Sequence, residues 1–137
     1  MVRKVNSNTY DNWDVHAIGG NSVAFTTDKF VATNGGFLIL ATASTNVVGR
    51  CKMNITTAAD NQTVDKVRVI YEEQKPQTTW EVAITGGGSL TQADEGKYFK
   101  LFDASTMDGS TAHASPSGLQ FQLVRFISAT KGLFKII

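Results

Sequence analysis

The feature that most constrains the fold is the lack of helical periodicity. No stretch of ten or more residues repeats its apolar side chains at the spacing of a helix. Short apolar runs instead recur along the chain, separated by Gly, Asn, Asp and Pro residues that favour turns. This pattern predicts an all-β fold: a single compact β-barrel or β-sandwich domain with about seven to nine strands.

Two segments alternate cleanly between apolar and polar side chains, residues 66–72 and residues 80–85. Further strands are predicted at 22–26, 30–33, 37–41, 47–53, 96–99, 119–127 and 133–137. The predicted core consists of apolar residues of these strands: Val23, Phe25, Phe37, Ile39, Val48, Val67, Val69, Tyr71, Val82, Ile84, Phe99, Leu101, Phe121, Leu123, Phe126 and Phe134.

Several connections carry turn signals. Asn34-Gly35-Gly36 predicts a tight hairpin turn, because Gly and Asn accept positive φ angles. Gly49 lies inside a strand pattern and predicts a bulge. Thr91 and Asp94 have the spacing of a capping box, which predicts a single helical turn. Residues 86–88 are all Gly and predict a flexible hairpin tip or a contact arm.

The chain divides into an extended N-terminal arm, residues 1–14, and a β-domain, residues 15–137. The arm is polar, and we expect it to lie over its own domain or to reach a neighbour. Residues 103–117 are small and polar, and they predict a long loop that contacts a partner. The candidate partner-contact residues come from these two segments: Asn8, Tyr10, Trp13, Met107, Asp108 and His113.

Charge and composition exclude several partner classes. Thirteen basic and twelve acidic residues give a net charge of +1, so the chain lacks the basic field of nucleic-acid-binding proteins. No apolar run approaches the length of a membrane helix. Cys51 is the only cysteine, which rules out an internal disulfide framework and indicates synthesis in a reducing cytoplasm. We therefore expect neither a nucleic-acid nor a membrane partner.

The residues that could carry catalysis do not form a recognisable motif. Cys51 lies in an apolar strand without a neighbouring base, so a buried structural role is favoured over a nucleophile. His16 and His113 are far apart and lack metal-ligand spacing. Residues 103–109 lack the acidic density of a calcium loop. The sequence predicts a protein that is not an enzyme and that has no metal or cofactor.

Three segments together carry a family resemblance: residues 60–64 with the alternating strand that follows, residues 90–99, and residues 108–136. This set resembles the small capsid decoration proteins, or capsid-stabilising proteins, of tailed bacteriophages. The resemblance implies a non-enzymatic structural virion protein that binds the outer surface of the assembled capsid and stabilises it. It implies the phage major capsid protein as partner and a homo-oligomer, with a trimer as one arrangement. It also implies location at the capsid surface of the virion after synthesis in the host cytoplasm.

Other functions remain open from the residues alone. One is a tail or head-fibre β-module of a virion. Another is a carbohydrate-binding module that stacks sugars on Tyr10, Trp13 or Trp80. A small hydrolase is disfavoured, because no acid, base and nucleophile occur in motif spacing.

Overall fold

The computed structural model describes residues 2–5, 13–76 and 78–137. These residues form short β-strands and two single-turn 3₁₀ helices, at Gln92–Asp94 and Gly109–Thr111, which confirms the all-β prediction. The first half of the chain contains β1 (Arg3–Val5), β2 (Asp14–Ile18), β3 (Ala24–Phe25), β4 (Phe30–Asn34), β5 (Phe37–Leu40), β6 (Val47–Cys51), β7 (Ile55–Thr56) and β8 (Arg68–Glu73).

The second half contains β9 (Thr79–Thr85), β10 (Tyr98–Phe99), β11 (Leu101–Asp103), β12 (Thr106–Asp108), β13 (Phe121–Ser128) and β14 (Lys131–Ile136). The described residues thus form fourteen strands, more than the sequence predicts. The additional strands are short and lie outside the predicted ones: β1, β2, β7, β11 and β12.

The first half forms a five-stranded antiparallel sheet with the order β2-β8-β6-β4-β5. Its outer strands meet at one end, where Gly19 pairs with Leu38. There the N–H of Gly20 donates to the carbonyl oxygen of Leu38 at 2.7 Å. The sheet therefore curls into a small barrel that is closed at this end. Strands β3 and β7 form a separate two-stranded sheet.

The second half forms a larger sheet with the order β10-β13-β14-β9-β12-β11. Because only Lys100 separates β10 from β11, one run of chain borders both β13 and β12, and the sheet is nearly closed. Strand β1 pairs with residues 79–81 of β9, and β12 pairs with residues 83–85 of the same strand. Both lie on the edge of β9 opposite β14, which pairs with residues 80–83.

The buried apolar side chains form two clusters. The smaller one lies in the first-half barrel: Phe25, Val31, Leu38, Cys51, Val69 and Tyr71. The larger one joins both halves: Val2, Phe30, Ala32, Ala41, Val47, Trp80, Val82, Leu90, Phe99, Leu101, Met107, Phe121, Leu123 and Phe134. Strand β4 contributes to both, because its side chains alternate in direction. Val31 points into the smaller cluster, whereas Phe30 meets Trp80 edge-on with ring centroids 5.7 Å apart.

Most of the predicted core is confirmed. Nine of its residues are buried: Phe25, Val69, Tyr71, Val82, Phe99, Leu101, Phe121, Leu123 and Phe134. The other members are only half-buried: Val23, Phe37, Ile39, Val48, Val67, Ile84 and Phe126. The prediction omitted Phe30 and Met107, which are fully buried in the cluster that joins the halves.

The start of the predicted arm belongs to the domain itself. Val2 is fully buried in the larger cluster, and the backbone of β1 pairs with β9. Arg50 of β6 holds this segment, since its Nη1 donates to the carbonyl oxygen of Val2 at 3.4 Å. The same guanidinium lies 5.7 Å from the ring centroid of Trp80 and pairs with buried Glu72 at 3.4 Å. Residues 2–5 therefore connect the two halves.

The predicted turns have clear physical causes. Gly35 and Gly36 have φ angles of 59° and 87° and connect β4 to β5 as a two-residue hairpin turn. The predicted bulge lies beside Gly49: pairing with β4 moves from Gly49 to Val47, which leaves Val48 unpaired. A Cβ atom at position 49 would lie 1.9 Å from the carbonyl oxygen of Glu72, so only Gly fits between these strands.

The predicted capping box is present at the first 3₁₀ helix. The N–H of Thr91 donates to Asp94 at 2.8 Å, and the Lys97 ammonium donates to the same carboxylate at 2.8 Å. The predicted hairpin tip at 86–88 is not one, since β9 does not pair with the next strand, β10. These glycines connect β9 to the 3₁₀ helix instead.

The prediction of a long loop at 103–117 is wrong for its first half. Residues 106–108 form β12, which runs parallel to β9 and places Met107 in the core. A turn held by Asp103 brings the chain there: its Oδ1 accepts the N–H of Ser105 at 2.9 Å and that of Thr106 at 2.8 Å. Partial burial raises the pKa of Asp103, but the hydrogen bonds from Ser105 and Thr106 outweigh it and leave the pKa below its ordinary value.

Candidate interaction surface

Groups that could carry catalysis are dispersed over the described residues. Across residues 2–5, 13–76 and 78–137, no three His, Cys, Asp or Glu side chains are grouped so that they could hold a metal ion. Cys51 is buried, as predicted, and its Sγ donates to the carbonyl oxygen of Met53 at 3.2 Å. Burial raises the pKa of this thiol, which favours its unreactive protonated form. His16 and His113 are both exposed, on β2 and after the second 3₁₀ helix.

Within the part of the chain that the structure describes, no helix has the length and apolar character needed to cross a membrane.

The most exposed large apolar side chain of the described residues is Trp13, at 73 %. It directly precedes β2, and its carbonyl oxygen accepts the N–H of Glu73 at 2.9 Å. The neighbouring Asp14 pairs with Lys52 at 3.0 Å, which fixes the start of β2. Strand β2 pairs with β8 on one edge, while its other edge meets β5 only beyond Ile18. Trp13 therefore stands at the open end of an edge strand.

Three further apolar side chains are exposed by β-bulges in the second-half sheet. Phe102 is the unpaired residue between Leu101 and Asp103, and it is 56 % exposed. In β13, pairing with β14 skips Val124 and then Ile127, which are 43 % and 44 % exposed. An extra residue in one strand is turned out of the pleat and re-aims its side chain. The bulges thus place apolar groups on the outside of the sheet.

The outer edge of β13 is partly covered. Strand β10 pairs with β13 only at Phe121 and Gln122. Farther along, the carboxylate of Glu95 accepts the N–H of Phe126 at 3.0 Å. A carboxylate on a strand edge opposes pairing with another strand, because it occupies a backbone donor and adds charge. This edge is therefore suited to side-chain contacts through Val124 and Ile127 rather than to strand addition.

The predicted contact residues differ in how accessible the structure leaves them. Asn8 and Tyr10 lie outside the described residues, and Trp13 is exposed at β2. Met107 has no exposed surface, so its side chain belongs to the core and is not open to a partner. Asp108 is occupied within the chain: its Oδ1 accepts the N–H of Ser110 at 2.9 Å. His113 is exposed, and its backbone pairs with Tyr98.

Sequence reasoning missed the residues at the bulges, although β13 carries a signal for them. Phe121 and Leu123 set an inward phase that would also bury Arg125. A charged residue at a position that should face inward indicates that the alternation of inward and outward side chains is interrupted. The interruption lies at Val124, where the register with β14 shifts. Trp80, considered as a sugar-stacking platform, is fully buried and cannot serve as one.

Comparison with family models, with curated proteins and with solved structures finds no match to this chain.

Proposed function

We propose that this protein is a non-enzymatic structural component of a phage virion. It binds the outer surface of the assembled capsid through the major capsid protein and stabilises the shell. The sequence resemblance motivates this proposal. The observation that carries it furthest is the set of apolar side chains that β-bulges turn outward at positions 102, 124 and 127.

The surface favours binding over chemistry. An exposed aliphatic side chain contributes about 1.5–3 kcal/mol when it becomes fully buried. Val124 and Ile127 are 43 % and 44 % exposed, so each would contribute roughly 1 kcal/mol on docking. Such a contact is weak by itself. On a shell that presents the same site many times, a homo-oligomer engages several sites at once, and the modest contributions combine.

Trp13 supplies a second contact. Tryptophan is enriched among residues that dominate binding energy, because it buries a large rigid surface. The Asp14–Lys52 ion pair and the Glu73 hydrogen bond hold the backbone beside it, which lowers the entropic cost of docking.

A co-sedimentation assay tests the proposal. Purified protein is mixed with intact phage heads and, separately, with unassembled major capsid protein. We expect saturable binding to heads and none to free subunits, and sedimentation analysis of the protein alone should detect an oligomer. Absence of binding to heads, measured over a range of candidate phages, would refute the proposal.

Variants then locate the docking surface. Val124→Ser combined with Ile127→Ser should weaken head binding by about tenfold or more, since about 2 kcal/mol of apolar contact is removed. Val64→Ser is the matched control, because Val64 is 66 % exposed but lies outside the sheet. Equal binding by the double variant and the control would exclude the β13 surface while leaving Trp13→Ala to test the other contact.

A further inference from the structure

A groove of about 550 Å³ opens where the two halves of the chain meet. Its first wall is formed by Thr33 and Asn34 at the end of β4 and by residues 43–46. Its second wall is formed by residues 118–120. The groove exists because β4 pairs with β6 only as far as Ala32, after which the two strands separate. Its volume lies within the range of small-molecule sites, about 300–1,000 Å³.

The two walls of the groove are joined by one side chain, Gln120. Its Nε2 donates to the carbonyl oxygens of Thr42 at 2.7 Å and Thr45 at 2.5 Å. Its Oε1 accepts the N–H of Leu101 at 3.2 Å. These bonds tie the 42–45 turn of the first half to β11 and to the residue that precedes β13 in the second half. The groove is therefore held in place before any ligand arrives, which lowers the cost of binding.

The rim offers uncharged hydrogen-bonding groups. Thr33, Asn34, Ser44 and Asn46 are exposed, and their side chains make no hydrogen bond to another described residue. No charged residue lines the groove, in a chain of which 18 % is charged. Two hydroxyls and two amides thus face solvent around the groove, whose walls Gln120 joins.

This chemistry selects among ligand classes. A phosphate or a nucleotide is bound most strongly by cationic side chains, and a transition-metal ion needs carboxylate, His or Cys ligands; no residue of either kind lines the groove. A largely apolar ligand would find only Ala43 and Leu119. An extended peptide needs a longer strand edge than Thr33 and Asn34 provide. Hydroxyls and amides that both donate and accept fit a neutral ligand rich in hydroxyl groups.

We propose that this groove is a binding site for a neutral saccharide. The proposal is independent of capsid binding, since the groove and the β13 bulges share no residue. Uncharged hydrogen bonds in an open groove contribute little net free energy, so we expect a dissociation constant on the order of 1 mM. Protein at the surface of a particle would bind a glycan-coated surface more tightly through its many copies.

Titration of the backbone amide NMR spectrum tests this. The probes are glucose, galactose, mannose, N-acetylglucosamine and maltose, each raised well above the expected dissociation constant. We expect at least one of them to shift the amide signals of Asn34, Ser44 and Gly118 saturably. Asn34→Ala and Asn46→Ala should each weaken that binding about fivefold, and the double variant about 25-fold. Gln92→Ala, an exposed amide outside the groove, should change nothing.

Three results would overturn the proposal. One is that none of the five saccharides shifts the groove amides. Another is that the shifts cluster elsewhere, for example around Trp13, which would assign sugar binding to an aromatic platform. The last is that a capped tetra-alanine peptide shifts the groove amides while the saccharides do not, which would make the groove a peptide site. Unchanged dispersion of the remaining amide signals shows that each variant is folded.

Discussion

Replacing Asn61 should destabilise the fold more than its position in a polar loop suggests. Asn61 is fully buried, and its side chain holds the 58–67 loop against the barrel. Its Nδ2 donates to the carbonyl oxygens of Gly19 at 2.7 Å and Val67 at 3.4 Å. Its Oδ1 accepts the N–H of Val67 at 3.0 Å. Asn61→Ala therefore removes three hydrogen bonds at once.

The magnitude follows from those bonds. Two backbone groups lose their partner, the carbonyl oxygen of Gly19 and the N–H of Val67, whereas the carbonyl oxygen of Val67 keeps the N–H of Gly19 at 3.1 Å. Each unpaired group costs about 1 kcal/mol and the cavity adds to this, so Asn61→Ala should lower the free energy of unfolding by about 3 kcal/mol. For a chain of 137 residues this corresponds to a fall in Tm of roughly 10 °C. Equilibrium unfolding in urea, followed by Trp fluorescence and circular dichroism, measures the change.

Two variants make this result specific. Asn61→Asp keeps the shape but turns the donor into an acceptor facing two carbonyl oxygens, so at neutral pH it should destabilise at least as much as Ala. Asn21→Ala removes one exposed bond, from the N–H of Gln62 to Asn21 at 2.8 Å, and should cost about 0.5–1 kcal/mol. If Asn61→Ala cost no more than Asn21→Ala, the loop would not depend on the buried amide and the reasoning would fail.

Three further predictions concern other parts of the molecule. Gly49→Ala should destabilise the protein by about 3 kcal/mol or more in urea unfolding, since the new Cβ meets the Glu72 carbonyl oxygen at 1.9 Å. Asp94→Asn should cost about 1 kcal/mol at neutral pH. Hydrogen bonds from Lys97 and then Thr91 lower the pKa of Asp94 in the folded protein. The stabilisation by Asp94 is therefore present above the unfolded pKa of about 3.9, and it is lost as the pH falls through the lower pKa of the folded state. Below that pH, wild type and variant should have the same free energy of unfolding. Cys51 should react with a thiol reagent only as urea unfolds the chain; rapid reaction of the native protein would contradict its burial.

The sequence predicted the elements whose causes are local. The Gly35–Gly36 turn and the Thr91–Asp94 capping box depend on residues within four positions of each other, and both are present. The alternating strands at 68–73 and 79–85 are present as well. Strand β12 was missed, because three residues around Met107 give too short a pattern and their partner in β9 is distant in sequence. The pairing of β1 with β9 was missed for the same reasons, since β1 has only three residues and its partner is distant in sequence.

The candidate surface was less predictable for a related reason. The contact residues proposed from polarity included Met107, which the fold buries, and omitted Val124 and Ile127, which read as ordinary strand residues. Whether an apolar strand residue faces in or out depends on the register of its neighbour, and a single bulge reverses it. In the sequence, the only sign of the bulge is Arg125, a charged residue at a position that regular alternation would turn inward.

The two halves of the chain form separate sheets but share one core, and this bears on how the surface works. Phe30 and Ala32 extend from the first-half barrel into the cluster of the second half, and Val2 enters it from the N-terminus. Arg50 joins the same junction through Trp80 and the Val2 carbonyl oxygen. Neither sheet can therefore shift without exposing apolar surface of the other, at about 25 cal/mol for each Å². A rigid junction of this kind keeps Trp13 on one sheet and the β13 bulges on the other at a fixed separation, which the proposed contact with a repeating capsid shell would require.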